Sequence, residues 1–238
     1  TRSTQECPIN EKTDAYTDFE LNDTKPPYLI EFLLVTVTVI WGTNLAVIKL
    51  LYAYFDPLAF NAIRLSLALI TMLLVLKIRG ISIDLDRRDI PVLFGLGLLS
   101  NTLYQLLFTI GLDLTRAGNV GLLMALVPIF AYIAGLTLRK EQFDRRVALG
   151  ILLSVGGAMA IVMSGSAEIA SSGTWQGDLL IVGASFCWGW FTGSLSRMVQ
   201  KYGALRFTVL TMTFGVGVFL PITLPSLLNQ PWSTIPPI

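Results

Sequence analysis

Histidine is absent from the 238 residues, which removes the commonest metal ligand, the usual general base and the usual switch near neutral pH. Charge is scarce too: 14% of residues are charged against 53% hydrophobic, with a mean hydropathy of +0.66, too apolar for a soluble domain of this length. The two cysteines, Cys7 in a polar stretch and Cys187 within an apolar one, do not suggest a structural disulfide. No G-x-x-x-x-G-K loop occurs, so this chain carries no ATP-driven motor of that type. Residues 1–27 hold Glu6, Glu11, Asp14, Asp18, Glu20 and Asp23 beside Arg2, Lys12 and Lys25. They lack an apolar core and read as a polar tail, not a signal peptide.

What the chain does have is apolar length. Seven runs can be marked, from Tyr28 to Leu51, Pro57 to Leu76, Ile90 to Leu112, Ala117 to Leu138, Val147 to Met163, Leu179 to Met198 and Leu205 to Leu228. Most reach the roughly 20 residues that a helix needs to cross ~30 Å of hydrocarbon. A β-barrel would show shorter stretches of strict alternation, whereas these are apolar on all sides. The expectation is an all-α integral membrane protein, a polytopic helix bundle.

Lysine and arginine set its orientation. Lys77, Arg79, Arg87 and Arg88 follow the second run, Arg139, Lys140, Arg145 and Arg146 the fourth, and Arg197, Lys201 and Arg206 flank the end of the sixth. Only Arg116 follows the third, and none follows the first, fifth or seventh. The positive-inside rule therefore predicts a cytoplasmic N-terminus and cytoplasmic even-numbered loops.

The runs also repeat. Ile40-Trp41-Gly42, leading to Leu58-Ala59-Phe60, recurs in kind as Cys187-Trp188-Gly189, leading to Leu205-Arg206-Phe207. Taking 41 from 188 and 60 from 207 gives 147 both times. Five apolar runs per period is an odd number, so the second copy would cross the membrane upside down relative to the first. The predicted organisation is a tail over 1–27, a first five-helix repeat over 28–163 and the start of an inverted second repeat over 179–238. Seven of an expected ten transmembrane helices would then be present.

With Trp41-Gly42-Thr43-Asn44 and Lys49 in the first run, Phe60-Asn61-Ala62-Ile63-Arg64-Leu65 in the second, then Tyr104, Thr115-Arg116-Ala117-Gly118, Pro128, Glu141, Gly150 and Gly156-Gly157, the chain resembles the EamA-type transporters of the drug/metabolite transporter superfamily. The resemblance covers nearly everything from the first run onward. It implies ten helices in two inverted repeats, cytoplasmic termini and transport of small metabolites, often export of amino acids. It also implies a bacterial cytoplasmic membrane.

Candidate site residues emerge from depth and face. Trp41 and Trp188 fall near mid-membrane, away from the interfacial belts where Trp175 and Trp232 are expected, and either stack a substrate or fill space beside Gly42 and Gly189. Asn44 shares a face with Trp41, and Asn101, Tyr104 and Gln105 are spaced to share another. Arg64 lies inside the second run with Asn61 one turn earlier. A mid-helix arginine costs about 2.5 kcal/mol or more to insert, which suggests either a use, such as meeting a substrate carboxylate, or snorkelling. Lys49 and Trp190 are further candidates, Lys49 being placed to snorkel.

Gly150, Ser154 and Gly157 form a small-residue stripe for helix packing, and Pro128 is a candidate hinge. Glu31, Asp56, Asp113 and Asp178 all fall at run ends, so no buried acid for ion coupling is visible.

The function expected is a secondary carrier of small polar metabolites working by alternating access, with no cofactor, no nucleic acid and no reaction catalysed. Its partners would be the solute and the lipid bilayer, with a homodimer left open. A seven-helix receptor is the alternative, though the usual receptor has its N-terminus outside. An intramembrane enzyme would need paired mid-membrane carboxylates or an activated serine with histidine, and neither pattern occurs.

Overall fold

In hydrocarbon each backbone N–H and C=O must find its partner within the protein, so isolated apolar runs become helices. Every regular element among the described residues is helical. The computed structural model describes residues 27–138, 144–165 and 175–232. The polar tail over 1–26, Cys7, Arg139, Lys140 and Glu141 lie outside the described residues.

In chain order the elements are α1 (Pro27–Leu51), α2 (Pro57–Ile78), α3 (Ile90–Gly97), a π-helical turn (Leu98–Leu103), α4 (Tyr104–Leu114), α5 (Ala117–Leu123), a 3-10 turn (Met124–Leu126), α6 (Val127–Thr137), α7 (Arg145–Gly165), α8 (Trp175–Ser194), α9 (Ser196–Tyr202) and α10 (Ala204–Asn229). Five spans among the described residues are long and apolar enough to cross a membrane, at 31–51, 57–78, 90–114, 117–137 and 204–229. Helices α8 and α9, bent by 52° at their junction, make a sixth if taken as one span. The multi-pass membrane bundle is therefore present. The fifth apolar run forms helix α7.

Local chemistry sets the breaks. Asp56 starts α2, its carboxylate accepting from the N–H groups of Leu58 at 3.0 Å and Ala59 at 2.9 Å, with Pro57 at the first helical position. Pro128 sits in the first turn of α6, directly after the 3-10 turn, where its missing N–H costs no helical hydrogen bond. Gly203, at φ 76°, separates α9 from α10 in a conformation that only glycine adopts readily. Pro221 and Pro225 lie inside α10, which runs unbroken through both.

The chain divides into a unit of residues 1–43 and a larger one of residues 44–238. In the first, the described side chains of α1 are almost all exposed. In the second, α8 packs on α4 and α6, while α10 packs on α2, α3 and the π turn. Lipid tails are as apolar as leucine, so close packing more than water exclusion holds such helices together. Gly189 shows how close: a Cβ there would lie 2.5 Å from Phe130 Cβ and 2.7 Å from the Val127 carbonyl oxygen.

The Gly150, Ser154 and Gly157 stripe meets no close neighbour among the described residues. All three residues are exposed, and a Cβ at Gly150 or Gly157 would meet nothing within 4 Å. Among the described residues the main contacts of α7 are with α5 and the 3-10 turn. Within the first unit, a Cβ at Gly42 would meet nothing within 4 Å.

Candidate functional site

Helical periodicity puts Asn61 and Arg64 one turn apart on α2, and the structure joins them: the Arg64 guanidinium donates to Asn61 Oδ1 at 2.8 Å. Asn61 is fully buried, and its amide donates to Gln105 Oε1 at 3.1 Å and to Thr109 Oγ1 at 2.8 Å on α4. Arg64 also reaches Gln105 Oε1 at 3.4 Å. The result is one cation held by neutral amide oxygens between two helices. Among the described residues Arg64 has no carboxylate partner; the ion pairs there belong to Lys201.

That arrangement leaves a charge only partly compensated. Two amide oxygens satisfy some of the five guanidinium N–H donors, and dipoles offset less of the desolvation cost than a counter-ion would. An anionic group reaching Arg64 would complete it. Tyr52 and Tyr104 both lie within electrostatic reach of the guanidinium.

Tyr104 links this network to an aromatic wall. Its ring packs on Trp188 of α8 with centroids 4.9 Å apart, and Trp188 continues to Phe191 at 5.4 Å. Trp190 packs instead on Phe186 at 5.6 Å.

The predicted set therefore divides. Asn61, Arg64, Tyr104, Gln105 and Trp188 come together. Asn101, expected to share a face with Tyr104 and Gln105, instead lies with its Cβ against Gly215 of α10 while its amide donates to Ser100 at 2.8 Å. The π turn over 98–103 explains this, since one wide turn rotates the next residues out of the ordinary 3.6-residue register. Trp41 belongs to the N-terminal unit and is 58% exposed, and Asn44 is exposed as well.

Lys49 is engaged, not free to snorkel: its ammonium donates to the carbonyl oxygens of Leu112 and Asp113, at 2.6 Å each. A cation on the last carbonyls of α4 neutralises the negative end of that helix. Thr109 was missed by sequence reasoning, although it stands four residues after Gln105 and so on the same face. Also unforeseen was Asp178 in the first turn of α8, which accepts from Thr115 Oγ1 and from Asn119 Nδ2 at 3.2 Å, tying α8 to the α4–α5 junction.

Beyond this network, a cavity of about 640 Å³ opens at the ends of α2, α4 and α10, lined by Tyr52, Asp56, Asp113, Ser226, Asn229 and Gln230 among others. It is a vestibule of mixed polar and apolar lining near the helix ends.

Comparison with known proteins agrees with this architecture. Residues 29–163 match the model of the EamA-like transporter family. A curated relative from Bacillus subtilis, "Uncharacterized transporter YyaM", is 28% identical over 82% of this chain and 65% of its own length. A second from the same organism, "Uncharacterized transporter YdfC", is 32% identical over 57% of this chain and 44% of its own. An "Uncharacterized transporter" of Archaeoglobus fulgidus is 29% identical over 82% of this chain and 66% of its own. The chain thus spans less than two thirds of the length of these relatives. No solved structure matches.

Proposed function

Because the chain belongs to the EamA-like transporter family, we propose that it forms the greater part of a secondary carrier for a small polar metabolite bearing a carboxylate, such as an amino acid, working by alternating access. The observation that carries this reading is Arg64, a cation on a membrane-spanning helix whose described partners are neutral amide oxygens. A positive charge costs about 2.5 kcal/mol or more at such a position, and a carboxylate solute would offset part of that cost each time it binds.

Asn61, Gln105 and Thr109 orient the guanidinium, while Tyr104 and Trp188 offer a flat wall for the solute's apolar part. The inverted repeat supplies two halves that rock about this point. The charge bias supports a cytoplasmic N-terminus, with the loop before α3 and helix α9 on the same side, and export from a bacterial cytoplasm is the direction the family resemblance suggests.

The test is uptake and efflux of a radiolabelled amino-acid and metabolite panel in vesicles containing the protein, with Arg64→Ala and Tyr104→Ala beside it. Movement of a carboxylate-bearing solute, lost in folded Arg64→Ala, supports the site. Transport unchanged in both variants would remove these residues from it, and no movement of any panel member would reopen the receptor alternative.

A further inference from the structure

The polar chemistry outside the Arg64 network collects at the two opposite ends of the helices. At one end, the segment between α2 and α3 meets α9. Lys201 bridges Asp86, at 3.2 Å, and Asp89, and the Tyr202 hydroxyl donates to Asp89 at 2.6 Å while accepting from the Asp86 N–H at 3.3 Å. Two side chains from α9 therefore hold two carboxylates and a backbone N–H from a segment more than 110 residues earlier.

At the other end, the turn between α1 and α2 meets the residue just after α10. The Gln230 amide donates to the Tyr54 carbonyl at 3.2 Å, and its Oε1 accepts from the Asp56 N–H at 2.7 Å. Gln230 is buried by this contact.

The 147-residue period relates these two contacts. Subtracting it from 201 and 202 gives Tyr54 and Phe55, and subtracting it from 230 gives Ile83, within the segment that carries Asp86 and Asp89. The pieces that meet at one end are thus the sequence counterparts of the pieces that meet at the other. Their chemistry differs, ionic in one place and amide-to-backbone in the other.

We propose that these are the two latches of the carrier, the Asp86–Asp89–Lys201–Tyr202 cluster closing one end and Gln230 the other, each released in turn as the central site changes its access. This rests on the carrier reading above. Helix α9 is built to move as a unit. It is seven residues long, bent 52° from α8, and joined to α10 through Gly203 at positive φ. A short arm between two joints can swing away without unwinding α8 or α10 once Lys201 and Tyr202 let go of Asp89 and Met198 and Tyr202 leave their apolar neighbours Leu93, Leu96 and Phe207. The vestibule of about 640 Å³ borders the Gln230 latch, so releasing Gln230 would widen a space that already exists.

The test is a pair of spin-label distances in proteoliposomes, with Cys7→Ser and Cys187→Ala as background. One pair, Arg87→Cys with Gln200→Cys, spans the ionic latch, and the other, Ala53→Cys with Asn229→Cys, spans the amide latch. All four positions are exposed. Lys201→Met is expected to add a population longer by about 5 Å or more across the first pair, the scale of a one-turn displacement, and to leave the second pair unchanged. Gln230→Ala is expected to do the reverse.

Lys201→Arg should keep the parent distribution, which separates release of the latch from misfolding. Parent-like distances across the first pair in Lys201→Met overturn the latch, whatever the transport result. Shifted distances in a protein that moves no solute on the panel overturn the carrier reading instead.

Discussion

Arg64 and Lys201 each gather partners from two separate parts of the chain, but the partners are of different kinds. Lys201, at an exposed helix end, has two carboxylates and a tyrosine beside it. Arg64, inside the bundle, has two amide oxygens and no carboxylate among the described residues. Water screens Lys201 and Asp86, and pairs at such a surface contribute little to stability, so Lys201 is released more easily than a buried cation would be. Arg64 sits where screening is weak and an unpaired charge is expensive. The more easily broken charge cluster suits a latch, and the incompletely matched charge suits a binding site.

The sharpest way to break this comparison is to remove both cations in turn. Arg64→Met should reduce transport by about 10- to 150-fold, the range of a lost charge-assisted hydrogen bond, measured as initial uptake rate. Lys201→Met should leave the unfolding midpoint almost unchanged. Next in size is Thr109→Val, which leaves the buried Asn61 amide short of an acceptor and should cost about 1–3 kcal/mol in thermal unfolding. Arg64 would stay in place but be held less firmly, so the same variant should weaken transport more modestly than Arg64→Met.

Smaller again is Lys49→Met, which strips a cation from the last carbonyls of α4. It should cost about 0.3–1 kcal/mol, up to ~2 if the partial burial there counts fully, read by the same melting assay. The smallest effect expected is that of pH on the Lys201 cluster. The Arg88 N–H and Lys201 hold the Asp86 carboxyl below its ordinary range, and Lys201 and Tyr202 do the same for Asp89, with Arg197 adding attraction. A carboxyl lowered on folding contributes fully above the ordinary aspartate value of about 4, and loses that contribution only as pH falls through the lowered one. Distances across the Arg87–Gln200 pair should therefore be flat between about pH 5 and 8.

Wherever one helix decides the geometry, the sequence was a good guide. The apolar runs became helices close to their expected limits, and the Asn61–Arg64 pair is a direct consequence of the 3.6-residue period. Failures came where that period changes or where distant segments meet. A π turn moved Asn101 off the face shared by Tyr104 and Gln105, and no residue pattern marked it in advance. Trp41 and Trp188 match in sequence, yet Trp188 packs on Tyr104 while Trp41 is exposed in its own unit. The Asp89–Lys201 contact spans 112 residues and depends on a bend at Leu195, which nothing local in the sequence announces.

The central claim is that Arg64 recognises the solute's negative charge, and the most direct measurement pairs a transported carboxylate with its neutral carboxamide analogue. Their uptake ratio is compared in the parent and in Arg64→Gln proteoliposomes. A preference for the carboxylate of about 10-fold or more in the parent, falling to within about 2-fold in Arg64→Gln, is the predicted result. An undiminished carboxylate preference in folded Arg64→Gln would contradict the account.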